Sequence, residues 1–223
     1  MHRRQFLGSS TALLLVTLGG CAGGLRYSLI EAIQRLLTLS SQRALASLMA
    51  PGGFYDSQVA RIALPDRLGG STTGSILGQF LAGAVRTRLT RQINRAAEKG
   101  AERAAPIIAD AILAVSPEDA AAILKGSGPA ATALLQRQMG NSLIQYMLPG
   151  VDEGLRLADS EVVTQALKLA TGIDFAGLRD DVTRKASNAI FAEMGKEEMA
   201  IRADPQSTND PVLIAALTAA NGL

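Results

Sequence analysis

Ile76-Leu-Gly-Gln-Phe-Leu-Ala-Gly-Ala-Val-Arg-Thr-Arg-Leu-Thr-Arg-Gln-Ile-Asn-Arg-Ala-Ala97 decides the fold class. Its apolar residues Ile76, Leu77, Phe80, Leu81, Val85, Leu89, Ile93 and Ala97 recur at helical spacing. On a helix these positions stack on one face, so the stretch predicts a long amphipathic helix. A helix of this kind is stable in water only when another element covers its apolar stripe.

Outward from that run, helical signals dominate in both directions. Downstream, Gly100 and Pro106 are expected to interrupt a continuation carrying Ile107, Ile108, Ala111 and Ile112. Ser116-Pro117-Glu118-Asp119 is the sharpest local signal. Ser116 suits an N-cap, Pro117 the first helical position, and the two acids the positive end of the helix dipole. Asp119 is placed to complete the reciprocal half of a capping box. This short helix is expected to run to Lys125. Gly126-Ser127-Gly128-Pro129 then turns into another helix, ending at Leu148-Pro149-Gly150. Pro149 is placed to start a further helical stretch through Val151, Leu155 and Leu157. Ser160 and Asp174 fit as caps for helices over 161–170 and 175–194, the second continuing through 196–203 to Asp204-Pro205. A last helix is expected over 212–220.

Upstream, Leu25, Leu29, Ile33, Leu36 and Leu37 mark a helix that Pro51-Gly52-Gly53 stops. Val59, Ile62 and Leu64 alternate imperfectly, which predicts an extended segment or short edge strand over 58–65. Gly69 to Gly74 reads as a loop. The fold class is therefore all-α: a compact, irregular multi-helix bundle with a short extended segment near residues 58–65. Alanine-rich faces such as Ala96, Ala97, Ala101, Ala104 and Ala105 permit close backbone approach, so the bundle should be tight. Phe54, Tyr55, Tyr146 and Phe191 are expected as core aromatics. No fixed-period repeat and no long linker divides the chain.

The first residues have a separate logic. Arg3 and Arg4 precede a short apolar segment, Ala12 to Leu18, then small residues and Cys21, the only cysteine. The apolar segment is too short to span a bilayer and has the layout of an export signal. Arg3-Arg4-Gln5-Phe6-Leu7 resembles a twin-arginine signal, and Leu18-Gly19-Gly20-Cys21 resembles a bacterial lipobox. Residues 1–20 are thus read as a signal peptide and residues 21–223 as a lipid-anchored helical domain. The lipidation site is Cys21, and the membrane is reached through its acyl chains. Ala22 after the cysteine favours the outer membrane, facing the periplasm of the bacterial cell envelope.

Removing the signal changes the charge argument. Of the 22 Lys and Arg residues, Arg3 and Arg4 leave with it, so the remaining bases equal the 20 Asp and Glu residues. The mature chain is formally neutral, and no nucleic-acid partner is expected. His2, the only histidine, also leaves. With Cys21 acylated, neither a Ser-His-Asp nor a Cys-His arrangement is available, and the usual soft metal ligands are missing. No catalytic, cofactor-binding or metal-ligating residue is assigned, and no cofactor is expected. Gly69 to Gly83 lacks both the Walker spacing and a clean GxGxxG. Glu193, Glu197 and Glu198 could place two carboxylates on one helical face for a divalent-cation or acid/base role; the favoured reading is a solvated face compensated by Lys196, Arg202 and neighbouring turns.

Asn94, Arg95, Glu98 and Glu102 form a polar flank on the long helix. Together with Asp181, Glu198 and Arg202 they constitute a possible interaction or polar site, extending to Asp180, Arg184 and Glu197 on the later helix. The competing reading is an interhelical network that fixes packing register.

Several blocks carry a family resemblance: Gly53-Phe54-Tyr55, Ile62-Ala63-Leu64-Pro65, Asn94 to Glu98, Pro117-Glu118-Asp119-Ala120, Ile123 to Gly126, Leu178 to Thr183, and Glu197 to Pro205. In order, they resemble the uncharacterised bacterial family known as domain of unknown function 4197. The resemblance spans nearly all of the mature chain, with the blocks around Asp119 and Glu198 the most specific. It implies an exported, mostly α-helical domain and carries no activity with it. The C-terminal Leu217 to Leu223 departs from the family's usual basic and aromatic ending. The leading functional expectation is a noncatalytic envelope module that binds an envelope protein or stabilises an assembly. Binding or transfer of a lipid, and hydrolysis by paired carboxylates, are the alternatives; one needs an apolar cavity and the other two acids facing across a pocket.

Overall fold

The computed structural model describes residues 21–64, 76–156 and 175–221. Among them lie eight α-helices and one 3-10 turn: α1 (Cys21–Met49), α2 (Gly53–Asp56), α3 (Ile76–Leu113), α4 (Pro117–Lys125), α5 (Ala130–Met139), α6 (Ser142–Arg156), α7 (Phe175–Ala203), the 3-10 turn (Pro205–Thr208) and α8 (Pro211–Asn221). No strand occurs among the described residues. The all-α bundle read from the periodicity is the architecture found.

Helix α1 is the hub. Its stripe Ala32, Ile33, Leu36, Leu37, Ala44, Leu45 and Leu48 is buried, and it packs against α2, α3, α4, α5, α7 and α8. Ser40 and Ser41 lie within that stripe without orphaned hydroxyls, because each donates back to the preceding turn, at Leu36 O and Thr38 O.

Gly100 and Pro106 do not interrupt the long helix; α3 runs through both. Pro106 lies on the exposed face while Ala101, Ala104, Ile108 and Ile112 continue the buried stripe. Burial of that stripe outweighs the one backbone bond proline removes. Pro149-Gly150 likewise sits inside α6 instead of ending a helix. The break falls earlier, at Gly140, whose φ of 50° only glycine adopts readily.

The glycines of the α3–α6 interface are contact points. A Cβ on Gly150 would meet Lys99 O at 2.4 Å, and one on Gly154 would meet Ala96 Cα at 2.6 Å. Gly100 faces Val151 at a comparable distance. Because Ala96 opposes Gly154 and Lys99 opposes Gly150, the two helices run antiparallel. Their backbones close to a separation that larger side chains would forbid, so the alanine-rich face is tightly packed.

Phe54 and Phe191 are in the core as expected. Tyr146 is 54% exposed, and Tyr55 is half-buried. A tyrosine keeps its hydroxyl in water at little cost, so aromatic identity alone does not locate it. The signal and residues 1–20, the loop around 69–74, the caps Ser160 and Asp174 and the helix over 161–170 lie outside the described residues.

Candidate functional site

The anticipated polar residues do not converge on one cavity. They divide into two internal clamps and a set of surface pairs, each with a different local origin.

Asn94 makes the first clamp. It projects from α3 toward the segment after α2, where Ala60, Ile62 and Leu64 are buried while Arg61 and Ala63 are exposed. That alternation is the period of extended chain. No strand pairs with it among the described residues; the Asn94 carboxamide stands in for one. Its Oδ1 accepts the Ile62 N–H at 2.9 Å, and its Nδ2 donates to Ile62 O at 2.9 Å. The same Nδ2 also donates to Thr90 O at 2.7 Å. A carboxamide has a donor and an acceptor in the layout of a peptide group, so one side chain satisfies both backbone groups of a buried residue. One turn on, Glu98 accepts the Gly52 N–H at 3.0 Å. Burial lifts the Glu98 pKa above its ordinary value, against the opposing effect of this amide, Arg95 and the Phe54 amide.

Glu198 and Arg202 make the second clamp. Helix α5 begins behind Pro129, which has no side-chain acceptor for the first free amides. Glu198, fully buried on α7, supplies the missing cap. Its carboxylate accepts from Ala131 N at 3.0 Å, Thr132 N at 2.8 Å and the Thr132 hydroxyl at 2.7 Å. Arg202 Nε pairs with the same carboxylate at 2.9 Å and its Nη2 reaches Ile123 O at the end of α4. Gly195, one turn earlier, leaves room for Pro129. One face of α7 therefore holds the α4–α5 turn from both sides.

The remaining candidates lie on the surface. Glu102 pairs with Lys99, Asp181 with Arg184 and Lys185, and Arg95 is exposed. Structural clamping thus accounts for Asn94, Glu98, Glu198 and Arg202.

Two features were not legible in the sequence. Arg61 and Arg91 both lie over the Tyr55 ring, at 4.2 and 5.4 Å from its centroid. Glu193 is buried, with one oxygen bonded to Lys196 and Oε2 without a partner among the described residues. It lines a cleft of about 440 Å³ with Asp56, Ser57 and Gln58. A larger cleft, about 470 Å³, separates Val59–Leu64 from α7. Among the described residues no three His, Cys, Asp or Glu side chains gather as a metal site, and no helix is long and apolar enough to cross a membrane.

A family model described as protein of unknown function (DUF4197) matches residues 26–217. The chain belongs to this family. The DUF4197 match runs from within the hub α1 to within α8 and takes in every described helix between them, so the bundle is the family domain. Two of the blocks that carried the resemblance now have structural roles. Ser116 and Asp119 form the α4 cap, and Glu198 with Arg202 forms the clamp on α5. No curated protein and no solved structure matches the chain.

Proposed function

We propose that this protein is a noncatalytic α-helical module of the bacterial cell envelope, held to the membrane by acyl chains on Cys21, that binds a second envelope protein. The observation that carries this reading is the occupation of its internal polar groups. Asn94, Glu98, Glu198 and Arg202 are bonded to backbone amides and carbonyls of the chain itself. Chemistry with another molecule then falls to the outer helix faces and the open clefts, in one of which Glu193 Oε2 is unbonded among the described residues. Helix α1 is helical from Cys21 onward among the described residues and enters the core by Ala32. An acylated Cys21 would therefore join the bilayer to the bundle through helix, with little slack between anchor and domain. Two or more acyl chains hold stably where one gives marginal binding.

The test pairs membrane fractionation with crosslinking in cells. The native chain should sediment with envelope membranes, carry the mass of a lipidated Cys21, and crosslink to a defined partner protein. Cys21→Ser should abolish lipidation and processing at this site, leaving a chain with the mass of the uncleaved, unacylated precursor. An unmodified Cys21 in membrane-derived protein would overturn the anchor, and a crosslinking pattern no different from an unrelated lipoprotein would overturn the partner.

A further inference from the structure

The cleft between residues 59–64 and α7 has an unusual charge. Among the described residues its lining includes Arg61 and Lys185 as the ionisable side chains and no carboxylate, with Val59, Ile62 and Leu64 on one wall and Asn188, Ala189 and Ala192 on the other. Lys185 is paired with Asp181, so Arg61 is the unpaired charge of the cleft. Arg61, which lines the cleft, shares the Tyr55 ring with Arg91, and neither arginine has a salt-bridge partner among the described residues. Arg91 belongs to a stripe with Arg88 and Arg95 on α3, all three exposed. Like charges at this helical spacing repel, so the arrangement lowers stability when nothing covers it.

The backbone of the same segment is half used. Asn94 holds both polar groups of Ile62. In extended chain the groups of the flanking residues point the opposite way. Those of Arg61 and Ala63 have no hydrogen-bond partner among the described residues, and both residues are exposed. The segment is thus a short stretch of extended chain with one edge closed by a side chain and, among the described residues, the other edge open.

We infer that this cleft binds an extended, acidic segment of a partner protein, which pairs with the open edge at Arg61 and Ala63 and sets its carboxylates against Arg61 and Arg91. Main-chain pairing to an exposed edge supplies register, while alternate side chains supply selection. Guanidinium groups meet carboxylates in a bidentate geometry that lysine does not reproduce. Tyr55 and the two arginines match the composition of protein-binding hot spots, and Val59 beside them is 49% exposed. Position argues for a protein over the anchoring bilayer. Gln34 bonds Leu113 O while Gly52 bonds Glu98, so α1 and α3 run antiparallel. The cleft then lies beyond the far end of α1, about 40 Å along that helix from Cys21. This inference rests on the partner-binding reading and names the partner's chemistry.

The Cys21→Ser full chain, which needs no membrane, is used to select from a phage-displayed library of random dodecapeptides. Enriched peptides should be rich in Asp and Glu and free of Lys and Arg. Their affinity should fall at least tenfold for Arg61→Gln/Arg91→Gln and severalfold for Ala63→Pro, which removes one edge amide and leaves charge unchanged. Arg35→Gln/Arg137→Gln, with the same loss of net charge elsewhere, should bind as the parent does. Circular dichroism and thermal midpoints identify any variant that fails to fold; the exposed Arg61→Gln single change is the fallback. Selection without acidic bias, unchanged affinity in the cleft variants, or an equal loss in the charge-matched control would overturn the proposal. Displacement of the peptides by inorganic phosphate, at an ionic strength where chloride does not displace them, would also overturn it in favour of a phosphate site. None of these results depends on acylation or on partner crosslinking, so their failure leaves the anchor and the existence of a partner separately testable.

Discussion

Asn94 acts as a strand of one residue. Two backbone groups of Ile62 depend on it, and both are buried. Asn94→Ala should destabilise the domain by about 2–4 kcal/mol in urea unfolding, because each orphaned buried group costs about 1–3 kcal/mol. Asn94→Asp should be no better, since a carboxylate keeps the acceptor but faces two carbonyls with no donor. Glu98 gives a pH signature. Its folded pKa is raised by burial, so the folded state holds the proton more tightly than the unfolded chain. Ionised Glu98 therefore opposes folding above both pKa values, and the opposition is relieved as pH falls through the folded value. The stability of the parent relative to Glu98→Gln should rise as pH is lowered through the interval just above the ordinary glutamate range. A difference that stays flat across that interval would remove burial as the cause.

Among the elements, α4 and α5 show two ways to start a helix. Ser116 caps α4 locally, accepting from Asp119 N at 3.2 Å. Asp119 does not bond the Ser116 amide as a capping box would; its carboxylate accepts hydrogen bonds from the Ser116 hydroxyl and from Gln138 Nε2 on α5. Helix α5 has no local cap, and Glu198 supplies one from α7. Glu198→Ala should cost about 3–5 kcal/mol, as removal of one member of a buried charged pair does. Hydrogen exchange should quicken first at Ala131 and Thr132, before the rest of the bundle. Uniform loss of protection would show that the clamp serves the whole core and not α5 in particular.

For the whole molecule, the most extensive packing among the described helices lies between α3 and α6. Gly154→Ala would place a methyl group 2.6 Å from the Ala96 backbone, and Gly150→Ala one 2.4 Å from Lys99 O. Backbone cannot yield as a flexible side chain does, so α6 must shift. Each substitution should cost about 1–3 kcal/mol, the usual range for an overpacked interior. Gly128→Ala offers the contrast: nothing lies within 4 Å of its Cβ position, and strain from its φ of 64° is the only source of loss. Thermal denaturation of the three variants separates contact glycines from turn glycines.

What the sequence determined by itself was whatever depends on neighbours in the chain. The helical spacing of Ile76 to Ala97, the cap at Ser116 and the imperfect alternation over 58–65 are local patterns, and they select helix, cap or extended chain. That Ala60 and not Val59 is the buried residue of the extended segment was not in the pattern. The same locality misjudged Pro106 and Pro149. A proline's cost is local, but the burial that outweighs it comes from helices distant in sequence. Only the tertiary structure decided that Asn94 closes a strand edge, that Glu198 caps a helix lying 66 residues earlier, and that Arg61 and Arg91 meet over one tyrosine. Each of these needs two segments brought together, and no spacing within either segment encodes the other.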